Sequence, residues 1–495
     1  MIGPILGGSR ESPPPSRLSR RERVALLATS IALALAFAVA PSAALYGDGI
    51  AIVEGLVRRR FTSPHPGIFP FAALIEIATG LEPERALRLV CGAGGALFVA
   101  GTYVALRRLR FGVGAATFGA SLVGLAPASL FFSRQIEVHS PHAGSVALAF
   151  AAVSAFAIGG AGASPAASTI GAVFVTHATG ALSVPFLLGF GRRLGNLGWG
   201  VWCRRLLLPG ILVASAFVLA VSLLDFLLSP PPRRFRTPVH EAFGLLTWAQ
   251  GRAEGVEGAL GYVRDALLVP SGLLSILGTA GLLRGLLRRE TWAFPLTLWV
   301  LVYGALGAAW RFVEEGGYLL PVYPALAVGA ASLAENREGG HGSPSPMSGR
   351  RGALLLAALV LQGWHGVSRG LLPSLGPDPF SWVEAARVET ADRGWFVSVN
   401  GVHLSLVRRY TGLSVATPAW LFPEPPETRE FLLRRFAEPL VARSAGEAVW
   451  IDQDGPPGED ARSAWARFLE LVREGATLEP VTREPFRAWR VAPRP

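Results

Sequence analysis

What most constrains this chain is a succession of apolar segments, each close to membrane-spanning length, separated by short arginine-rich loops. Segments near 24–45, 86–106, 113–132, 142–160, 205–229, 264–287, 292–310, 317–334 and 352–369 approach the ~20 residues a helix needs to cross a bilayer. The stretch 165–191 is interrupted by THATG and reads either as one span or as two short helices in a hairpin. Arginines cluster after the spans, in RRLR (107–110), GRRLGNLGWGVWCRR (191–205), RGLLRRE (284–290) and ENREGGHGSPSPMSGRRG (335–352). If all four loops are cytoplasmic, as the positive-inside bias predicts, 165–191 crosses twice and the chain has about eleven spans. The N-terminus is then cytoplasmic and everything after about residue 370 lies outside. The expected location is the cell (inner) membrane, as a multi-pass integral protein.

Composition supports the same class. Only 16% of residues are charged, against about 25% in soluble domains. A net charge of +11 would suggest nucleic acid in a soluble chain. Here the arginines sit in loops between apolar segments, so the expected partner is the lipid bilayer and no nucleic acid. The chain has no lysine, which removes a lysine Schiff base or a lysine general base. Its two cysteines, Cys91 in an apolar segment and Cys203 in a basic loop, are not expected to pair.

Three regions follow. Residues 1–22, rich in Pro, Ser and Arg, read as a disordered cytoplasmic tail. Residues 23–370 read as an all-α polytopic membrane domain. Its first segment is expected to stay uncleaved, because cutting after Ala38-Val39-Ala40 would leave Pro41 next. Residues 371–495 read as a small extracytoplasmic α/β domain. Amphipathic stretches (DPFSWVEAARVETADR, ETREFLLRRFAEPLVARS, EDARSAWARFLELVREG) alternate there with strand-like runs (WFVSVN, LSVAT, AVWIDQD, FRAWRVA).

The candidate chemistry lies in the loops assigned to the outer face. The first of them opens with YGDGIAIVEGLVRRRFTSPHPGIFP (46–70) and carries Asp48, Glu54, Arg58–Arg60 and a His65-Pro66-Gly67 turn. Asp48, between two glycines, suits a general base taking a proton from an acceptor hydroxyl. It equally suits the N-cap of a short helix, and the spacing leaves both readings open. A second cluster, SRQIEVHSPH (133–142), holds Arg134, Glu137, His139 and His142; it can ligate a divalent cation or hold a phosphate. A third, WRFVEEGGYLLPVYP (310–324), offers Arg311 either to clamp a phosphate or to pair with Glu314 or Glu315. PPPRRFR (230–236) adds further arginines. His177, alone in an apolar stretch, reads first as a satisfied core histidine.

Taken in order along residues 24–335, these elements resemble the GT-C superfamily of integral-membrane glycosyltransferases. The closest resemblance is to the bacterial protein O-mannosyltransferase-like group and its dolichyl-phosphate-mannose-type relatives. That group's Gly-Asp matches Gly47-Asp48, and its His-Pro-Pro-Gly-Tyr-Pro turn matches His65-Pro66-Gly67-Ile68-Phe69-Pro70 with one proline missing. Its Ala-Glu-Val-Tyr element is similar to Ile136-Glu137-Val138-His139, with His139 in place of Tyr. Its Thr-His-Pro break resembles Thr176-His177-Ala178, and its Arg-Tyr-Leu-Leu-Pro turn resembles Gly317-Tyr318-Leu319-Leu320-Pro321. The family's Glu shortly after the Asp is absent, with Glu54 as a displaced counterpart.

The resemblance implies a sugar donor carried on a polyprenyl phosphate, with an acceptor that is protein, lipid or glycan. It implies Asp48 as catalytic base, with inversion at the anomeric carbon, and Glu54, His65, Arg134, Glu137, His139 and Arg311 as substrate-binding residues. No particular cofactor follows from it; a divalent cation stays open, with Asp48, Glu137 and His139 as its ligands if there is one. The rival reading is a transporter or flippase of a lipid-linked or anionic substrate, which would share the spans and the outward arginines but usually carries internal repeats.

Overall fold

The computed structural model describes residues 18–39, 49–57, 66–177, 179–228, 261–310, 314–335, 349–371, 379–422, 424–456 and 459–494. The chain divides into two compact units, Met1–Pro41 with Gly55–Ser374, and Ser42–Glu54 with Leu375–Pro495.

The first unit contains helices and no strand among its described residues. In chain order it contains α1 (Arg20–Val39), the end of α2 (Gly49–Val57), α3 (Phe69–Thr79), α4 (Pro83–Arg108), α5 (Val113–Gly124), α6 (Pro127–Phe132), α7 (His139–Ala157), α8 (Ala163–Thr176), α9 (Gly180–Gly195) and α10 (Leu208–Leu228). These are followed by α11 (Val263–Ser271), α12 (Leu273–Leu287), α13 (Ala293–Trp310), a 3-10 turn Glu314–Val322, α14 (Tyr323–Ala334) and α15 (Gly349–Gly366). The termini of α4 show why such runs become helices. It opens with Pro83, whose fixed φ suits a first helical position, and closes on Arg107 and Arg108 at the negative end of the helix dipole. Large side chains such as Ile77, Leu219, Leu301 and Trp364 point outward, as a lipid-facing surface requires.

Among the described residues, four helices are long and apolar enough to cross a membrane, or five if α11 and α12 form one bent span. The alternation of basic loops predicts about eleven. Part of the difference comes from proline and glycine, which cut several apolar runs into shorter pieces. The run 113–132 breaks at Pro127, which holds Ala126 extended and has no N–H to continue α5. The run 165–191 breaks at His177, itself extended (φ −159, ψ 145), giving the two short helices α8 and α9. The run 264–287 bends by 98° at Gly272, whose φ of +59 is in the region glycine favours.

That bend frees backbone groups which nothing in lipid could satisfy. Gln362 of α15, fully buried, takes them up. Its Oε1 accepts from the Leu273 amide at 2.8 Å, and its Nε2 donates to the Ser271 carbonyl at 2.9 Å and to the Leu122 carbonyl at 3.3 Å. His365 Nε2, one turn on, donates to the Val269 carbonyl at 2.8 Å. The two cysteines are free, Cys91 buried and Cys203 exposed.

The second unit carries a five-stranded sheet. Its elements are α16 (Pro379–Thr390), β1 (Trp395–Val397), α17 (Gly401–Tyr410), β2 (Ser414–Ala416), α18 (Pro426–Arg443), β3 (Val449–Asp452), α19 (Glu459–Gly475), β4 (Ala476–Arg483) and β5 (Phe486–Pro493). The spatial order is β2-β1-β3-β5-β4; β1 pairs parallel with β2 and β3, and the rest is antiparallel. The apolar run of β3 is buried along its whole length, as a central strand covered on both faces should be. Val397, Val449, Ile451 and Val491 from the sheet pack with Leu433, Leu440, Trp465 and Phe468 from α18 and α19. Strand β4 was not among the strand-like runs. Its Pro480 and charged residues argue against a central strand, and β4 is in fact an edge strand, where proline is tolerated.

Candidate active site

A buried polar cluster forms within the first unit where α7 begins, and it is assembled from segments far apart in sequence. The loop between α6 and α7 supplies Arg134, Gln135 and Glu137, all buried, and the first turns of α7 supply His139 and His142, also buried. Helix α4 holds this loop in place. Ser140 Oγ donates to the Cys91 carbonyl at 2.8 Å, Cys91 Sγ donates to the Glu137 carbonyl at 3.3 Å, and Arg88 reaches the Arg134 carbonyl at 3.5 Å.

The break between α8 and α9 meets α7 at its polar face. His142 Nδ1 lies 3.1 Å from Thr176 Oγ1, which is also 2.9 Å from Ser145 Oγ. Thr176 Oγ1 can donate to the Ala172 carbonyl at 2.9 Å, which leaves its lone pairs to accept from a proton on His142 Nδ1. His177 Nδ1 accepts the backbone N–H of Thr179 at 3.0 Å and lies 2.7 Å from the Thr179 hydroxyl. Neutral His177 therefore carries its proton on Nε2.

Two more segments close the cluster. Tyr318, in the 3-10 turn before α14, sits edge-on to His139 at 4.7 Å and to His177 at 5.5 Å between ring centroids. His177 lies 5.9 Å from His139 and 5.1 Å from His142 by the same measure. The Pro66–Ile68 turn docks on the end of α8, with the Gly67 amide donating to the Val175 carbonyl at 3.0 Å.

Burial, and then the neighbouring Arg88 cation, hold the Arg134 guanidinium below its ordinary pKa. An anion placed next to a cation so disfavoured relieves that penalty.

Of the residues singled out from sequence, Arg134, Glu137, His139 and His142 share this cluster. Asp48, His65 and Arg311 lie outside the described residues, as do Arg58–Arg60. Glu54 lies on α2, in the segment Ser42–Glu54 that groups with the second unit. His177 is more than a core histidine: Thr179 holds its Nδ1, its ring is part of the histidine cluster, and the signal for it is the helix break at THATG. Tyr318 stands in the sequence only as part of a turn motif, and its contacts with two histidines make it a member of the site.

No protein-family model and no curated protein matches the sequence. Among solved structures, the chain is similar to ArnT from Cupriavidus metallidurans in the apo state, at 15% identity and TM-score 0.58, over 95% of this chain and 97% of that one. It is similar to the same protein bound to undecaprenyl phosphate, at 15% identity and TM-score 0.56, over 96% and 98% of the two chains. It is also similar to the Archaeoglobus fulgidus oligosaccharyltransferase in the apo form, at 12% identity and TM-score 0.55, over 96% of this chain and 75% of that one. A further neighbour is the mycobacterial arabinofuranosyltransferase AftD, at 16% identity and TM-score 0.54, over 97% of this chain and 40% of that one. The chain shares its fold with these neighbours. At such identities the likeness reaches the fold and not the activity.

Proposed function

We propose that the chain is an integral-membrane glycosyltransferase that moves a sugar from a polyprenyl-phosphate donor to an acceptor hydroxyl on the extracytoplasmic face. The observation that carries this reading is the convergence of four dispersed segments on one buried polar cluster: the Pro66–Ile68 turn, the Arg134–His142 loop, the Thr176–Thr179 break and the Tyr318 turn. The same segments carry the resemblance read from the sequence, and they occur in a chain with the fold of a protein crystallised with undecaprenyl phosphate.

In this reading the donor phosphate lies against Arg134, with His139 and Tyr318 forming the aromatic wall beside it. Asp48 acts as general base on the acceptor hydroxyl, which attacks the anomeric carbon in line. The sugar–phosphate bond breaks, its electron pair leaves on the phosphate, and the anomeric configuration inverts. Phosphate is already a good leaving group, so no general acid is required. Positioning and electrostatic stabilisation provide most of the rate. Glu54, His65 and Arg311 belong to substrate binding on the strength of their motifs. Sugar and acceptor, including a mannosyl donor, are choices within this class.

The role of Arg134 has a direct test. Undecaprenyl phosphate is expected to raise the melting temperature of the purified protein in detergent. In Arg134→Gln its affinity should fall by about 10- to 100-fold, the loss of a charge-assisted hydrogen bond worth ~1.5–3 kcal/mol. A folded Arg134→Gln protein that binds the lipid as tightly as the wild type would remove Arg134 from the donor site.

A further inference from the structure

A second cluster of ionisable side chains lies in the other unit, unrelated to the scheme above. It forms at the carboxyl ends of β1 and β3. The chain leaves β1 through α17 to reach β2 on one side, then crosses through α18 to β3 on the other. The connections after β1 and β3 therefore diverge, and the crevice between the ends of such adjacent parallel strands is where open α/β sheets bind ligands.

The register of β1 and β3 places Val397 opposite Ile451, so the chain continues into Ser398 and Asp452 side by side. Asp452 is buried. Its Oδ2 accepts from Ser398 Oγ at 2.6 Å and from His403 Nδ1 at 2.7 Å, and its Oδ1 accepts from the Asp454 amide at 3.0 Å. His403 lies in the first turn of α17, its amide directed to Asn400 Oδ1 at 3.4 Å, and its ring stacks on Trp382 at 4.2 Å and 18°. Asp454 brings its own Oδ2 to 3.8 Å from His403 Nδ1, with a side chain 58% exposed.

We infer that His403, Asp452 and Asp454 form a divalent-cation site. Their ligand atoms all lie within 4.8 Å of one another. Ligands at about 2.0–2.2 Å from one ion sit roughly 3–3.6 Å apart, and the distances of 2.7 and 3.8 Å from His403 Nδ1 bracket that spacing. One imidazole and two carboxylates suit a borderline ion such as Zn²⁺ or Mn²⁺. The surrounding groups are already in place: Ser398 Oγ and the Asp454 amide orient the Asp452 carboxylate, and Trp382 fixes the imidazole plane. Exposed Asp454 provides the route in. On binding, the ion takes the place of the proton on His403 Nδ1, which is released to solvent, and neutral His403 keeps a proton on Nε2. Three protein ligands leave coordination positions for water or for an anionic group of a ligand, which makes this an open site.

The test uses full-length protein in detergent, stripped of metal with a chelator and titrated with Mn²⁺ followed by electron paramagnetic resonance, with Zn²⁺ as competitor. One Mn²⁺ equivalent is expected to bind, be displaced by Zn²⁺, and survive in His139→Gln, which alters the other unit. Affinity should fall about tenfold or more in Asp454→Asn and in His403→Gln. Asp454 is exposed, so its replacement leaves the fold intact and carries the decision. Absence of a stoichiometric Mn²⁺ or Zn²⁺ equivalent in the wild type, unchanged affinity in either variant, or loss of the equivalent in His139→Gln would each overturn the assignment.

Discussion

Asp48→Asn is expected to lower sugar transfer by about 10²–10⁴-fold, the range that a positioned general base contributes. The substitution is informative because of where α2 starts. The helix begins at Gly49, so Asp48 is the residue directly before it in the chain. Asparagine is as good a helix N-cap as aspartate. If Asp48 only caps α2, the variant keeps both its stability and its activity. If Asp48 takes the acceptor proton, the variant keeps its stability and loses its activity, because an amide is not a base near neutral pH. Melting temperature and initial rate of transfer, measured on the same preparation, separate the two. Full activity in a stable Asp48→Asn protein would end the role of Asp48 as base. If Asp48 caps α2, Asp48→Ala also lowers the stability, by about 1 kcal/mol.

The largest structural effect is expected at Gly281 on α12, where Gly281→Leu should abolish the folded protein. A Cβ at Gly281 would overlap the carbonyl carbon and oxygen of Gly329 on α14, and a Cβ at Gly329 would overlap the Gly278 carbonyl oxygen. Two backbones are in contact there, with no flexible side chain to move aside. This is the close approach that small residues permit between helices in a membrane. Relieving the overlap would separate α12 from α14, whose residues Leu326, Val328 and Ala330 are fully buried. Overpacking usually costs ~1–3 kcal/mol, and a clash with backbone belongs at or above the upper end. Loss of the monodisperse peak in size-exclusion chromatography is the expected readout. Gly281→Ala should fold with a lowered melting temperature. A wild-type melting temperature for Gly281→Leu would show that α12 and α14 do not pack as described.

Much of the helical unit was legible because lipid-facing helices are written as long apolar runs with proline, glycine and arginine at their ends. The break at His177 and the bend at Gly272 follow from local chemistry, yet the partner that makes the bend tolerable, Gln362, lies 89 residues from Leu273 and has no local signal. The histidine cluster was half legible. Arg134, Glu137 and His139 stand together in one short stretch of sequence, whereas His177 and Tyr318 join them only through tertiary packing. A lone histidine in an apolar run gives no hint of its neighbours. The His403–Asp452 pair was invisible for the same reason: its members are 49 residues apart and meet only through the register of β1 and β3. The soluble unit's helices were legible from their amphipathic spacing, and β4 was not, because an edge strand can carry the proline and charges that otherwise mark a loop.

The account rests on the chain being a transferase and not a transporter, since both would share apolar helices, a bent span and arginines at the membrane face. The direct measurement is the fate of a radiolabelled sugar presented as its polyprenyl phosphate to proteoliposomes containing the purified protein and a bacterial membrane extract as acceptor source. The account predicts that label moves covalently into an acceptor, that free polyprenyl phosphate is released in equal amount, and that Asp48→Asn prevents both. Translocation of intact labelled lipid across the bilayer, with no covalent product and no released polyprenyl phosphate, would contradict it.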